Sequence, residues 1–438
     1  MQRVRMGLPA AVAATSAPAG AGIRGAWFRR VAAYTAFILS LTLSFWFSPA
    51  PRTEAEYCGT YLHLAPWAGF TANCDGFVYM EDARHPAHLL EPCEVRQSRP
   101  LFVLLGTAVG YPCTWVVQGL QASGLLPARV MQKLPAKYQP LLGFYLGYVL
   151  LNYAVLLAAL LLFRHLYYRV TNGLGSLGVL WALLVFLVSN QVTKAFFWTV
   201  HQQMFTFLVP LVLVYLVLQL RGSAQWRAWL PGLAVLGGLL SLVYGSFVLV
   251  LPVLLYGLCQ QRRHPWPVVV GRAIVVGLMF AAPTLIWIGI LKLQGVSYYN
   301  HEAAAYGQVV WLQAIWQQPF PEFLQLLSTN ISKFLQTLPA IEVFVVAALI
   351  SVDWAIRKQK KLPEPMLLLL GVVLLLLIFL AGLGYYKERL TWMLVPILLL
   401  VVVVVMPGTR ASRWPVWVLL LMACAWHVMQ VVSYGPFS

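Results

Sequence analysis

Charged residues are scarce in this chain of 438 amino acids. They make up only 10% of the sequence, whereas 61% of the residues are hydrophobic, and just 13 residues are acidic. Soluble globular proteins contain about 25% charged residues, so this composition excludes a soluble protein. No polar stretch is long enough to fold as a separate soluble domain. Any function therefore has to be carried out by membrane helices and the loops between them.

Long apolar runs fill most of the sequence, and about 20 consecutive apolar residues span a bilayer. Clear runs lie at 31–48, 140–163, 175–190, 204–220, 269–291, 340–356, 366–384, 392–407 and 415–434. The stretch 230–258 is too long for one span, and Gly245 and Ser246 at its midpoint predict two short helices in a hairpin. The sequence thus predicts an all-α polytopic membrane protein with about eleven transmembrane helices.

The segment 100–122 is apolar as well, but Gly106, Gly110 and Pro112 interrupt it. If it lies in the outer interface or is re-entrant, 18 of the 30 basic residues fall in the loops of one side. Short loops rich in Lys and Arg remain in the cytoplasm. The N-terminus is therefore predicted to be cytoplasmic and the C-terminus external. The net charge of +17 is then a bias towards the cytoplasmic, lipid-facing side rather than a sign of nucleic-acid binding.

This topology predicts the organisation of the chain. Residues 1–30 are rich in Ala, Gly and Pro and basic, so we expect a disordered cytoplasmic tail. Residues 31–438 form one transmembrane domain with two long external loops, at 49–139 and 292–339. We expect the chain to reside in the bacterial inner (plasma) membrane.

The first external loop concentrates the few acids and cysteines of the chain. Seven of the 13 acidic residues lie there: Glu54, Glu56, Asp75, Glu81, Asp82, Glu91 and Glu94. Such a cluster indicates either a solvated loop or a loop that supplies a catalytic carboxylate. Two of Cys58, Cys74 and Cys93 can form a disulfide in an oxidising compartment, although the sequence does not choose the pair. Without a CxxC motif their spacing argues against a zinc site.

Four stretches resemble motifs of the GT-C membrane glycosyltransferases, which use polyprenyl-phosphate sugars. The segment from Asp75 to Tyr79, and Arg99-Pro100-Leu101-Phe102 after it, are similar to the family's first external loop, with its interfacial helices. The Gly-rich stretch in 230–258 resembles the paired short helices in mid-chain, and 388–396 resembles the external entry to a late helix. The aminoarabinose and mannosyl transferases belong to this superfamily.

The resemblance also has departures. The usual Asp-Glu pair is Asp75-Gly76 here, and the second external loop, 191–203, contains no acid. In relatives that act on diphosphate-linked donors, acids from two loops hold a divalent metal. We therefore expect neither a metal site nor a cofactor.

The resemblance implies an inverting transfer of a sugar from a polyprenyl-phosphate donor to a lipid, glycan or protein acceptor. Asp75 is the expected catalytic base, with Asp82 as the alternative, and we expect partial burial to raise the pKa of the base. The residues expected to bind substrate are Arg389, Lys387, Lys194, His201, Tyr79 and Arg99. Loop 292–339 adds weaker candidates, namely Tyr298, Tyr299, Asn300, His301, Glu302, Trp311 and Trp316. Membrane lipids are the other expected partners.

Two other functions are compatible with a polytopic chain. A polysaccharide polymerase or O-antigen ligase also uses lipid-linked glycans, but such enzymes concentrate Arg and His in a late external loop. Here loop 292–339 contains His301 and Lys333 but no Arg. A lipid or solute transporter would place ionisable groups at mid-membrane and often contain inverted repeats, and we find no internal repeat.

Overall fold

The computed structural model describes residues 21–50, 59–65, 67–126, 136–260, 265–406 and 414–433. Nearly all of these residues are helical. The first half of the chain contains α1 (Ala21–Ser44), β1 (Gly59–Ala65), β2 (Ala68–Asn73), α2 (Cys74–Arg84), α3 (Pro100–Ala122), α4 (Leu142–Val170), α5 (Leu177–Val188), α6 (Gln191–Phe196) and α7 (Phe205–Gly222). The strands form an antiparallel hairpin, in which Tyr61 pairs with Thr71.

In the second half of the chain, every regular element within the described residues is a helix. It contains α8 (Ala224–Ala228), α9 (Leu230–Ser241), α10 (Val250–Cys259), α11 (Trp266–Leu293), α12 (His301–Tyr306), α13 (Ala314–Gln317), α14 (Phe320–Leu335), α15 (Glu342–Gln359), α16 (Glu364–Gly382), α17 (Glu388–Thr391), α18 (Val395–Val405) and α19 (Trp414–Val432).

The predicted class, an all-α polytopic membrane protein, is confirmed. Within the described residues nine helical stretches are long and apolar enough to cross a membrane, and three further apolar helical stretches are shorter. Every apolar run predicted as a span is helical, and 230–258 forms the two short helices α9 and α10. The number eleven stays a prediction, because Pro100–Ala122 is also long and apolar enough to cross.

One local expectation needs correction, and one element was not expected. Helix α1 begins at Ala21, so residues 21–30, predicted as part of a disordered tail, are helical. Trp27 and Phe28 lie there beside Arg29 and Arg30, a composition that suits a helix at the membrane interface. Residues 1–20 lie outside the described part of the chain. The β1–β2 hairpin was not predicted at all.

The centre of the molecule is formed by α7 and α18, whose side chains are mostly buried. Helix α18 contacts α4, α7, α15 and α16. The last helix is attached near its C-terminal end through His427. The imidazole Nδ1 of His427 lies 2.7 Å from the Ser189 hydroxyl, and its Nε2 lies 3.1 Å from the hydroxyl of Ser44.

Helices α3 and α4 pack at very short distance because glycines line their contact. A Cβ added at Gly106 would overlap the Tyr148 ring, and one added at Gly143 would overlap the backbone of Thr114. Small residues of this kind let two helix backbones approach closely. The other side of α3 contacts α2, where the Thr107 hydroxyl donates to the Ala83 carbonyl at 2.8 Å. The helix pair therefore supports α2, the helix that contains Asp75.

Candidate active site between the external loops

Asp75 lies in the first turn of α2, directly after the β1–β2 hairpin. A carboxylate at this position is stabilised by the helix dipole. The preceding residue, Cys74, is disulfide-bonded, so the start of the helix is also held covalently. Cys93 is a free thiol, which removes it from the pairings that the sequence left open, and Cys58 lies outside the described residues.

Arg96 forms an ion pair with Asp75. Its Nη2 donates to the Asp75 Oδ1 at 3.0 Å, and its side chain is only 6% exposed, whereas that of Asp75 is 48% exposed. The Arg96 guanidinium also lies 4.1 Å from the centre of the Tyr79 ring. The buried arginine therefore fixes the carboxylate from the protein side and leaves part of it exposed.

The pKa of Asp75 is lowered from its ordinary value. Burial acts to raise it, but the positive charge of Arg96 and its hydrogen bond, with a smaller contribution from the charge of Arg389, outweigh that effect. The expectation of a raised pKa for the catalytic base is therefore wrong for Asp75. At neutral pH Asp75 is ionised.

A second ion pair lies beside the first and joins the two external loops. Arg99 Nη2 lies 2.7 Å from Glu302 Oε1, and the Ser98 hydroxyl donates to Glu302 Oε2 at 2.8 Å. Arg99 Nη1 donates to the Tyr79 hydroxyl at 3.2 Å. Glu302 is thus held on α12 by two residues that come about 200 positions earlier in the chain.

Gln97, between the two arginines, is fully buried and strengthens the same junction. Its side-chain oxygen accepts a hydrogen bond from the Tyr299 backbone N–H at 2.8 Å. Its backbone carbonyl accepts from Trp287 Nε1 at 2.9 Å. The segment 96–99 is therefore the contact between the first loop and the second.

Two cavities open on either side of Asp75, and both are lined in part by Asp75, Tyr385 and Arg389. The first, here called the polar cavity, measures about 440 Å³. Its wall is dominated by amide, imidazole, phenol and paired charged groups, including Arg99, His201, Gln202, Tyr244, Asn300 and Glu302. The amide, imidazole and phenol groups among them are neutral hydrogen-bond donors and acceptors, which suit hydroxyl-rich ligands.

The second, here called the basic cavity, measures about 710 Å³. Three cationic side chains line it, namely Lys333, Lys387 and Arg389, against the carboxylates of Asp75 and Glu388. Lys387 and Arg389 follow Gly384, whose positive φ of 78° and lack of a side chain let the backbone pass Trp311. The backbone N–H of Val309 donates to the Leu383 carbonyl at 2.8 Å and attaches this turn to the second loop.

Arg389 acts on the Asp75 carboxylate at longer range than an ion pair. Within the described residues it forms no ion pair, and its Nε is buried without a hydrogen-bond partner. Its guanidinium lies 5.3 Å from the centre of the Phe196 ring. A buried arginine donor without a partner favours an anionic ligand.

His201 and Tyr79 hold the site in shape. The His201 Nδ1 accepts from the Gln203 backbone N–H at 3.1 Å, and burial followed by repulsion from Arg389 lowers the pKa of the imidazole well below its usual value. A neutral His201 with Nδ1 as acceptor carries its proton on Nε2. Tyr79 is completely buried beneath Arg96 and lines neither cavity, so it positions the arginines.

Lys194 lies away from both cavities. Its amine donates to the carbonyl oxygens of Gln430 at 3.0 Å and Ser433 at 2.7 Å, which is the C-terminal end of α19. Burial lowers its pKa to about 8. A lysine in this position satisfies orphan carbonyls of the helix end and does not face the basic cavity.

Asp82 is also outside the linings of the two cavities. It is 3% exposed, its Oδ1 lies 3.6 Å from His88 Nδ1, and its Oδ2 has no hydrogen-bond partner in the described residues. Burial, with a contribution from Glu94, raises its pKa to about 7. Of the two acids predicted as base, Asp75 is the one that lines the cavities.

Four residues of the site were missed or given little weight. Arg96, Lys333 and Tyr385 are not predicted as site residues from the sequence, and Glu302 is one of several candidates in loop 292–339. The sequence contains one local signal for them, the Arg-x-x-Arg spacing of Arg96 and Arg99. It could have predicted that each of the two arginines pairs with a carboxylate. Contacts between distant loops, such as Lys333 with the basic cavity, leave no such local pattern.

Within the parts of the chain that are described, no group of three His, Cys, Asp or Glu side chains lies together as a metal-ion site would require. No protein-family model matches the chain, and no curated protein or solved structure has significant similarity to it.

Proposed function

We propose that the protein is an inverting membrane glycosyltransferase that moves a sugar from a polyprenyl-phosphate donor to a lipid, glycan or protein acceptor. One observation carries the proposal. A carboxylate, Asp75, and an arginine that forms no ion pair within the described residues, Arg389, lie in the wall shared by a basic and a polar cavity. This is the arrangement that a transfer between an anionic leaving group and a hydroxyl acceptor requires.

In this reaction the Asp75 carboxylate accepts the proton of the acceptor hydroxyl. The hydroxyl oxygen forms a bond with the anomeric carbon as the bond from that carbon to the phosphate oxygen breaks. The electron pair of the broken bond stays on the phosphate, whose charge Arg389 and Lys387 stabilise. Arg96 keeps Asp75 ionised and oriented, at the cost of a weaker base.

The polar cavity supports a sugar ligand. Apart from the shared Asp75, the one acid among the described residues of its wall is Glu302, and that carboxylate is already paired with Arg99. His201, Gln202 and Asn300 then offer neutral hydrogen-bonding groups for hydroxyls. The resemblance of 75–79, 99–102 and 388–396 to GT-C motifs agrees with this assignment.

The proposed topology has eleven spans in a bacterial inner membrane, with the site on the external face. Helix α3 would then lie in the outer interface. Its first half packs along α2, a helix that contains Asp75, Glu81 and Asp82, and Tyr111 donates to the Arg84 carbonyl at 2.8 Å. Contact with a charged helix supports an interfacial position, because charged groups are costly in hydrocarbon.

The test is complementation of a deletion strain, with extraction and mass spectrometry of its membrane lipids and glycans. We expect one sugar decoration to disappear and to return with the wild-type chain. Asp75→Asn keeps an acceptor for Arg96 but removes proton acceptance, so transfer should fall by about 10²–10⁴-fold. Binding of farnesyl phosphate, a short donor analogue, should be unchanged.

Arg389→Ala should affect binding and transfer together, since loss of a charged contact of this kind costs about 2–5 kcal/mol. Asp82→Asn, two turns along the same helix and outside the cavities, is the matched control and should support transfer. An inactive Asp82→Asn beside an active Asp75→Asn would move the base to Asp82. If all three inserted variants restore the decoration, the enzyme proposal is wrong and a transport role is favoured.

A further inference from the structure

Helix α14, in the second external loop, has three distinct sides. Phe323, Asn330 and Phe334 are buried against the protein. Phe320, Leu324, Ile331 and Leu335 are exposed, with relative exposures of 64%, 45%, 40% and 53%. Because their spacings are four, seven and four residues, these four side chains form one stripe along the helix.

An exposed apolar stripe beside transmembrane helices is in contact with lipid. Helix α14 leads through a single turn, Leu338–Ile341, into the apolar helix α15, so it lies at a membrane boundary. A helix with one apolar and one polar side rests in the plane of the interface at the level of the lipid headgroups. That level is where the phosphate of a membrane lipid is found.

Lys333 points to a different side of the same helix. At 100° per residue it lies roughly opposite the apolar stripe, and with Gln336 and Thr337 it lines the basic cavity. Neither Lys333 nor Lys387 forms an ion pair within the described residues. The cavity thus receives cations from two separate segments, α14 and the turn before α17.

We infer that Lys333 binds the phosphate group of the ligand in the basic cavity and that α14 admits this ligand from the membrane surface. The inference rests on the proposed function and adds a third cation to Arg389 and Lys387. The chemistry recognised is a phosphate ester, whose charge the three cations neutralise. The lipid-facing stripe of α14 favours a lipid phosphate over a soluble one.

The experiment is a titration of the full chain in nanodiscs with farnesyl phosphate, farnesol and inorganic phosphate. Lys333→Gln should weaken farnesyl phosphate binding about ten- to a hundredfold, the range for a hydrogen bond to a charged group. Lys333→Arg should restore most of it. Lys292→Gln is the matched control, because Lys292 is an exposed lysine just before the same loop and lines neither cavity.

Farnesol has the prenyl chain of farnesyl phosphate but no phosphate group. Its binding should therefore not respond to Lys333→Gln. Equal weakening of farnesol and farnesyl phosphate would overturn the inference. Inorganic phosphate should bind far more weakly than the lipid. If it binds equally well and responds equally to the substitution, the phosphate role of Lys333 stands and the entry from the membrane is wrong.

The two proposals fail in distinguishable ways. If Lys387→Gln and Arg389→Ala weaken farnesyl phosphate binding and Lys333→Gln does not, the role of Lys333 is wrong while the proposed function stands. If Lys333→Gln weakens binding as expected but deletion of the protein removes no sugar decoration, the phosphate site stands and the glycosyltransferase proposal fails.

Discussion

Asp75 and Asp82 are seven residues apart on α2, which puts them on one face of the helix two turns apart. The pKa of Asp75 is lowered, whereas that of Asp82 is raised to about 7. Burial acts on both carboxyl groups in the same direction, so the difference comes from their charged neighbours. Arg96 donates directly to Asp75, while Asp82 lies near Glu94 and leaves one oxygen unpartnered.

Asp82 should make the stability of the protein depend on pH. Its pKa is higher in the folded state than in the unfolded chain, so its contribution is fully present below about pH 4 and is lost as the pH rises towards 7. Asp82→Asn removes this titration. We expect the variant to melt several degrees above the wild type at pH 8 and by a smaller margin at pH 5, as measured by thermal unfolding in detergent.

Asp75→Asn is the control for this experiment. The pKa of Asp75 is lowered, so its contribution is present above its unfolded value and is lost only at more acidic pH. Between pH 5 and 8 the melting temperature of this variant should change with pH as that of the wild type does. If the melting temperature of Asp82→Asn also changes with pH as that of the wild type does, Asp82 does not titrate in this range.

The residues that line the cavities could be predicted from the sequence only where the signal is local. An acid in a long external loop pointed to Asp75, and a short charged loop between apolar runs pointed to Lys387 and Arg389. Lys194 was misplaced, since the carbonyl oxygens that bind its amine belong to a helix end more than 230 residues away. No periodicity or spacing encodes a contact of that kind.

At the scale of the helices, the close contact of α3 and α4 decides where the first loop lies. Gly110 and Gly147 approach so closely that a Cβ at Gly147 would lie 3.0 Å from the Gly110 backbone. Arg99 and Pro100 begin α3, so a shift of this helix would move the arginine pairs as well. The glycine contact therefore couples helix packing to the site.

Gly143→Ala should destabilise the protein, because the new methyl group would overlap the Thr114 backbone and neither helix can move without shifting the other. Overpacking of this kind costs about 1–3 kcal/mol or more. Gly119→Ala on α3, where no atom lies within 4 Å of the added Cβ, should be neutral or slightly stabilising. Thermal unfolding of both variants makes the comparison, and equal melting temperatures would contradict it.

The helices were predictable because hydropathy reports burial in lipid directly. Gly106, Gly110 and Pro112 interrupt the apolar run 100–122 in the sequence, yet Pro100–Ala122 is one continuous helix in which Gly106 and Gly110 serve packing. The β1–β2 hairpin and α14 were not predicted. Their residues are mixed in polarity, and they are ordered by contacts with distant segments rather than by a continuous apolar run.

For the whole molecule, the decisive property is that the two long loops, 49–139 and 292–339, contribute to one site. Asp75, Arg96 and Arg99 come from the first loop, Glu302 and Lys333 from the second, and all of them line one or both cavities. The cavities can form only if the two loops are on the same side of the membrane. This agrees with the topology predicted from the distribution of basic residues.

Labelling of single cysteines tests this topology in a background without the free cysteines. Ser123→Cys, exposed at the end of α3, should react with an impermeant maleimide in intact spheroplasts. Lys358→Cys, exposed near the end of α15, should react only after permeabilisation. The reverse pattern would invert the predicted orientation, and labelling of both positions would show that an odd number of spans between them is wrong.

The junction between Ser98 and Glu302 also sets an order of events during synthesis. Its two halves are 204 residues apart, and Arg389 is translated about 300 residues after Asp75. At roughly 5–20 residues per second this is an interval of about 15–60 s. During it, the hairpin and the Asp75–Arg96 pair can already form, since both are local. The first loop can thus fold soon after its synthesis, but the two cavities form only after Arg389 has been synthesised.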